Sequence, residues 1–64
     1  MSYELYEVWA EDEHGHEELI ETTKSLKQAT DLAKKALKEG YIAGIIYKED
    51  EDGDLDEVQR FEVD

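Results

Sequence analysis

Only one stretch of this sequence carries a helical period. Between Ser25 and Gly40, the apolar residues Leu26, Ala29, Ala33, Ala36 and Leu37 recur at a spacing that gathers them on one side of a helix. Ser25 offers a hydroxyl to the free N–H groups of a helix start, and Gln28 three residues on completes a capping-box pattern. Gly40 supplies the residue that most readily adopts the left-handed conformation ending helices. A helix of ~15 residues is roughly 22 Å long and covers one side of a small sheet at most. Whatever else the chain builds has a single helix to bury its apolar surface.

The rest reads as strands. Tyr3 to Ala10 is rich in aromatic and β-branched residues, and "ELIETT" resumes the pattern after the glycine-containing "EDEHGHE". "YIAGIIYKE" and "LDEVQRFEV" form a second pair around "DEDGD", in which Asp52-Gly53 is a strong hairpin signal. With His14-Gly15 as turn centre, Trp9 falls opposite Ile20 and Ala10 opposite Leu19. With Asp52-Gly53 as turn centre, Tyr47 falls opposite Val58 and Gly44 opposite Phe61. The expected fold is therefore α+β: a ββαββ order, with a four-stranded, mainly antiparallel sheet and one amphipathic helix packed on one face. Residues 1–64 read as one acidic domain, with no linker, repeat or second domain marked.

Both faces of this expected sheet are apolar. One face of the second hairpin carries Ile42, Ile46, Phe61 and Val63, and the other Tyr41, Ile45, Tyr47 and Val58. The first hairpin splits likewise into Leu5, Trp9 and Ile20 against Tyr6, Val8 and Leu19. A sheet with one solvated face should show polar residues there. The expectation is that Tyr6, Val8, Leu19, Ile45, Tyr47 and Val58 face away from the helix and form an interaction surface.

Charge is segregated along the chain. Lys24, Lys27, Lys34, Lys35 and Lys38 against Asp31 and Glu39 give residues 24–39 a net +3. Lys48 and Arg60 against seventeen acids give the remainder −15, for a total of −12. The helix lysines fall opposite the apolar stripe, so they read as an outward basic ridge clear of the core. Nineteen acidic residues in 64 repel phosphate backbones, which excludes direct nucleic-acid binding as the expected function. Thirty-nine per cent hydrophobic residues is too many for an acidic disordered chain. The charge balance alone would also fit adaptation to salt.

No chemistry-bearing constellation stands out. The chain has no cysteine, Ser2 and Ser25 have terminal and capping explanations, and 64 residues enclose no sizeable pocket, so no enzyme is expected. His14 and His16 share a flexible turn that fixes no metal geometry. "KEDEDGDLDEVQ" resembles the calcium loop of the EF-hand in Asp50, Asp52, Asp54 and Gly53, but Lys48 stands at its first ligand position and Gln59 at its last. No cofactor and no metal are expected. "MSYELYEVWAEDE" has neither the basic start nor the apolar stretch of a signal peptide, and no apolar run reaches the ~20 residues of a membrane span, so a cytoplasmic location is expected.

The composition and pattern point to a protein-interaction module that takes a protein partner or a second copy of itself. The alternative is an acidic regulator that mimics nucleic acid before a DNA- or RNA-binding protein. An RNA binder that stacks bases on sheet tyrosines lacks the basic groove. One consequence follows from charge alone. A net −12 on so small a body repels itself, and the Debye length shrinks from about 10 Å at 0.1 M salt to about 3 Å at 1 M. Thermal melts in rising sodium chloride should therefore show an increasing Tm. A steady decrease would mean that local lysine–carboxylate attraction outweighs the net repulsion.

Overall fold

The computed structural model describes residues 4–63, so Tyr3, placed above at the start of the first strand, lies outside the described residues. Its elements are β1 (Leu5–Glu11), β2 (Glu17–Thr23), α1 (Leu26–Lys38), β3 (Ala43–Glu49) and β4 (Leu55–Glu62). The strands form one antiparallel sheet in the order β2-β1-β3-β4, with α1 on one face. This is the expected ββαββ α+β domain, antiparallel throughout. No helix among the described residues is long and apolar enough to cross a membrane.

The helix starts and stops as its sequence dictates, with one variation. The Gln28 N–H donates to Ser25 Oγ at 3.2 Å. The side chain of Gln28 does not return to the Ser25 backbone. It accepts from the Thr23 hydroxyl at 2.7 Å, and Thr23 Oγ1 in turn accepts from the Ser25 N–H. The cap is thus closed through the last residue of β2, which ties the helix start to the sheet edge. Gly40, at φ +109°, ends the helix.

Ala29, Ala33 and Ala36 form the buried stripe of α1. Their small side chains let the helix backbone come down onto β3, where a Cβ added to Gly44 would lie 2.4 Å from the Ala33 carbonyl oxygen. Around this contact Tyr6, Val8 and Ile46 fill the core, with Leu32 and Phe61 packed at its sides. The helix is rotated relative to the expected stripe. Leu32 turns inward, whereas Leu26 is 44% exposed, because the close approach demands that the alanines and not the leucines point at the sheet.

The hairpins are built alike, which corrects the expectation of no repeat. Asp12 opens the first turn and Asp50 the second, each with a three-residue loop ending in a glycine at φ near +85°, Gly15 or Gly53. Five residues past each glycine stands an extra, bulged residue, Ile20 in β2 and Val58 in β4. Val8 and Ile46 occupy equivalent positions and face one another across the β1–β3 pairing, so the sheet has a pseudo-two-fold axis between them.

These loops and bulges correct the expected registers. The three-residue loops set Trp9 opposite Leu19, Ala10 opposite Glu18 and Tyr47 opposite Glu57. Beyond the bulges the register shifts by one, and Gly44 meets Phe61 as expected. The larger correction concerns Tyr6 and Val8. They were expected on the open face, yet both are buried under the helix. Within the first hairpin the three-residue loop moves Leu19 from the side of Tyr6 and Val8, where it was expected, to that of Leu5 and Trp9. The pairing of Val8 with Ile46 and of Trp9 with Ile45 decides how the halves combine, and it puts Trp9, not Val8, on the face of Ile45 and Tyr47.

Gly44→Ala should therefore cost about 3 kcal/mol, the upper end of typical overpacking, because its Cβ meets helix backbone that cannot rotate away. A domain of this size has on the order of 3–10 kcal/mol in total, so much of the fold would be lost. Urea denaturation checks this. A cost below about 1 kcal/mol would show that the helix shifts freely on the sheet.

Candidate interaction face

The face away from α1 is assembled by register. β1 contributes Leu5, Glu7, Trp9 and Glu11, β3 contributes Ala43, Ile45, Tyr47 and Glu49, and the flanking strands add Glu17 and Leu19 on one side and Leu55, Glu57 and Arg60 on the other. At its centre, the Trp9 and Tyr47 rings meet edge to face, 6.4 Å apart and at 90°. The two are equivalent under the pseudo-two-fold, so each hairpin supplies one ring from the strand position three residues before the aspartate that opens its turn.

Each ring is fixed by a glutamate. Trp9 Nε1–H donates to Glu7 Oε1 at 3.0 Å, and the Tyr47 hydroxyl donates to Glu17 Oε1 at 3.3 Å. Burial first, and then the Glu17 carboxylate, raise the Tyr47 phenol above its ordinary pKa, so it remains a proton donor across the neutral range. Arg60 lies 3.3 Å from Glu57 and 3.6 Å from Glu11, and its bond to Glu57 chiefly holds its pKa above the usual value. Beneath this layer Ile45 is 0% exposed. The face thus covers its own centre in part and leaves a shallow depression of about 260 Å3 lined by Trp9, Tyr47, Glu17 and Leu55.

The expected interaction residues divide into four groups. Leu19 and Tyr47 are on the open face, with Leu19 48% exposed. Ile45 is on it but buried, so it supports the surface without presenting itself. Tyr6 and Val8 belong to the helix-packed core, and Val58 is the bulged residue of β4, 43% exposed. Leu5, Trp9 and Leu55 were missed. The signal that would have found Trp9 is the match between the two hairpins, which aligns it with Tyr47; Leu5 then follows on the same face of β1 by the strand period, and Leu55 follows from the three-residue loop.

All five helix-segment lysines are exposed, and several are engaged locally. Lys27 pairs with Asp31 at 3.3 Å and Lys35 with Glu39 at 3.8 Å, while Lys34 Nζ sits 5.4 Å above the Phe61 ring on the β4 side. Lys38 stands in the last turn, where its charge suits the helix dipole, and Lys24 precedes the cap.

Both turns carry side chains of metal-ligating type. Asp12 Oδ1 accepts from the N–H groups of His14 and His16, and Asp50 Oδ1 from those of Asp52 and Asp54. The N–H of His16 is the main reason that the Asp12 carboxyl lies below its ordinary pKa. The leading aspartate of each turn is thus engaged in shaping the loop. Asp50, Asp52 and Asp54 nevertheless bring one carboxylate oxygen each to within 4.8 Å of one another.

No protein-family model, no curated protein and no solved structure matches this chain.

Three exposed carboxylates on a turn lack the bidentate ligand and rigid shell of a calcium sensor. Calcium should bind residues 50–54 no tighter than about millimolar, and zinc should leave the His14–His16 turn unperturbed at micromolar concentrations. Backbone NMR titration checks both. Saturable shifts at micromolar metal would make either turn a true site.

Proposed function

We propose that this chain is a non-enzymatic protein-interaction module that docks a protein partner on the sheet face opposite the helix. The observation that carries this reading is the collection of Leu5, Trp9, Leu19, Tyr47 and Leu55 on the side the single helix does not cover. A contiguous apolar patch ringed by polar residues is the usual mark of such a surface.

Charge argues for a different protein and against a second copy. Face-to-face pairing would set Glu7, Glu11, Glu17, Glu49 and Glu57 of one copy against the same residues of the other, and Arg60 is already held by Glu11 and Glu57. Mimicry of nucleic acid would need carboxylates over a continuous surface. Here the carboxylates surround an aromatic and aliphatic centre.

Leu19→Glu and Leu55→Glu place charge on half-exposed positions and should leave the monomer folded. Affinity capture on the immobilised protein, with the captured protein then purified and rebound, should show loss of binding with both variants and none with Lys27→Glu. Binding unaffected by the two leucine variants but lost with Lys27→Glu would move the contact to the helix and overturn the reading.

A further inference from the structure

We propose that the depression between Trp9 and Tyr47 receives one organic cation from the partner, the guanidinium or ammonium of an arginine or lysine side chain. This rests on the reading of the open face as a docking surface and names what that surface recognises. The depression, about 260 Å3, is below the ~300–1,000 Å3 of sites for whole drug-sized ligands and suits a single side chain.

Its walls are those a cation on an alkyl stem requires. The indole and phenol rings stand perpendicular and both line the depression, so aromatic carbon borders it in two orientations. Both polar edges are already engaged, Trp9 Nε1–H by Glu7 and the Tyr47 hydroxyl by Glu17, which fixes the rings before a ligand arrives. Leu55 offers an apolar wall to the methylenes of the incoming side chain. Glu17 completes the lining with a carboxylate.

That carboxylate decides between a cationic and an apolar occupant. An apolar side chain seated here would strip water from Glu17 and give nothing back, whereas a guanidinium or ammonium replaces the lost hydration with a charge-assisted bond. Arg60, the cation contributed to this face by β4, is held by Glu11 and Glu57 and is not among the residues lining the depression. The −12 net charge adds a long-range attraction for the same class of ligand.

Trp9 is the single tryptophan of the chain, so its fluorescence reports on the site directly. The probes are a short peptide with one arginine flanked by leucines and its twin with citrulline, which keeps the shape and removes the charge. The arginine peptide should change Trp9 emission saturably and shift the Trp9 Nε1–H resonance, with the citrulline twin at least about fivefold weaker. Glu17→Gln and Tyr47→Leu should each weaken the arginine peptide several-fold. Asp52→Asn removes the same charge from a turn outside the depression and should leave its affinity unchanged.

Equal binding of the two peptides would overturn the cation site while leaving a docking face. Equal losses with Glu17→Gln and Asp52→Asn would also overturn it, by reducing the effect to net charge. If neither peptide perturbs Trp9, the cation site falls, and the docking reading is then judged by partner capture alone.

Discussion

The rest of this molecule depends on the contact between the backbone of α1 at Ala33 and Gly44 of β3. One helix over four strands can stabilise a 64-residue chain only if little space is wasted between the layers, since a domain this small has a thin margin of buried surface. An alanine stripe against a glycine removes the gap that larger side chains would hold open. The large side chains are displaced to the flanks, where Tyr6, Val8, Ile46, Leu32 and Phe61 close around the contact. Even Lys34 contributes, its ammonium lying 5.4 Å above the ring of Phe61 at the side of the core.

Because the helix occupies one face so tightly, the other must look after itself, and the pseudo-two-fold explains how it does. Matching turns and matching bulges bring equivalent positions of β1 and β3 beside each other at the axis. On the helix side those positions are Val8 and Ile46, which suit a dry core. One residue on, and so on the opposite face, they are Trp9 and Tyr47, whose amphipathic rings lie over the face of Ile45 and direct their polar edges to Glu7 and Glu17. The same symmetry element therefore yields a core contact on one side and an aromatic centre on the other.

The elements and their order were legible because each has a local cause: the capping serine, the terminating glycine, the period-2 runs and the glycine-containing turns. The two hairpin registers were only half legible. A three-residue loop and a bulge shift the pairing by one and then back, so Gly44 opposite Phe61 could be read while Tyr47 opposite Glu57 could not. Which face of the first hairpin joins which face of the second depends on β1–β3 pairing across the whole helix, and no short-range signal specifies it. That non-local fact is why Tyr6 and Val8 were expected on the open face and Trp9 was missed there, whereas Leu55 was missed because the three-residue loop shifts the β3–β4 pairing by one.

The charge segregation along the chain acquires a spatial meaning from the layering. The lysines of α1 ride on the outer surface of the helix layer, while Glu7, Glu11, Glu17, Glu49 and Glu57 surround the aromatic centre on the far side of the sheet. Exposed charges farther apart than the Debye length of about 8 Å at physiological ionic strength are largely screened from one another. The lysines are also engaged closer to home, Lys27 by Asp31 and Lys35 by Glu39. They therefore do little to neutralise the open face, which keeps a negative potential around its apolar centre. A partner approaching in the wrong orientation meets an outer helix surface of paired charges that offers little apolar area; in the right one it meets carboxylates that attract a cation and rings that hold it.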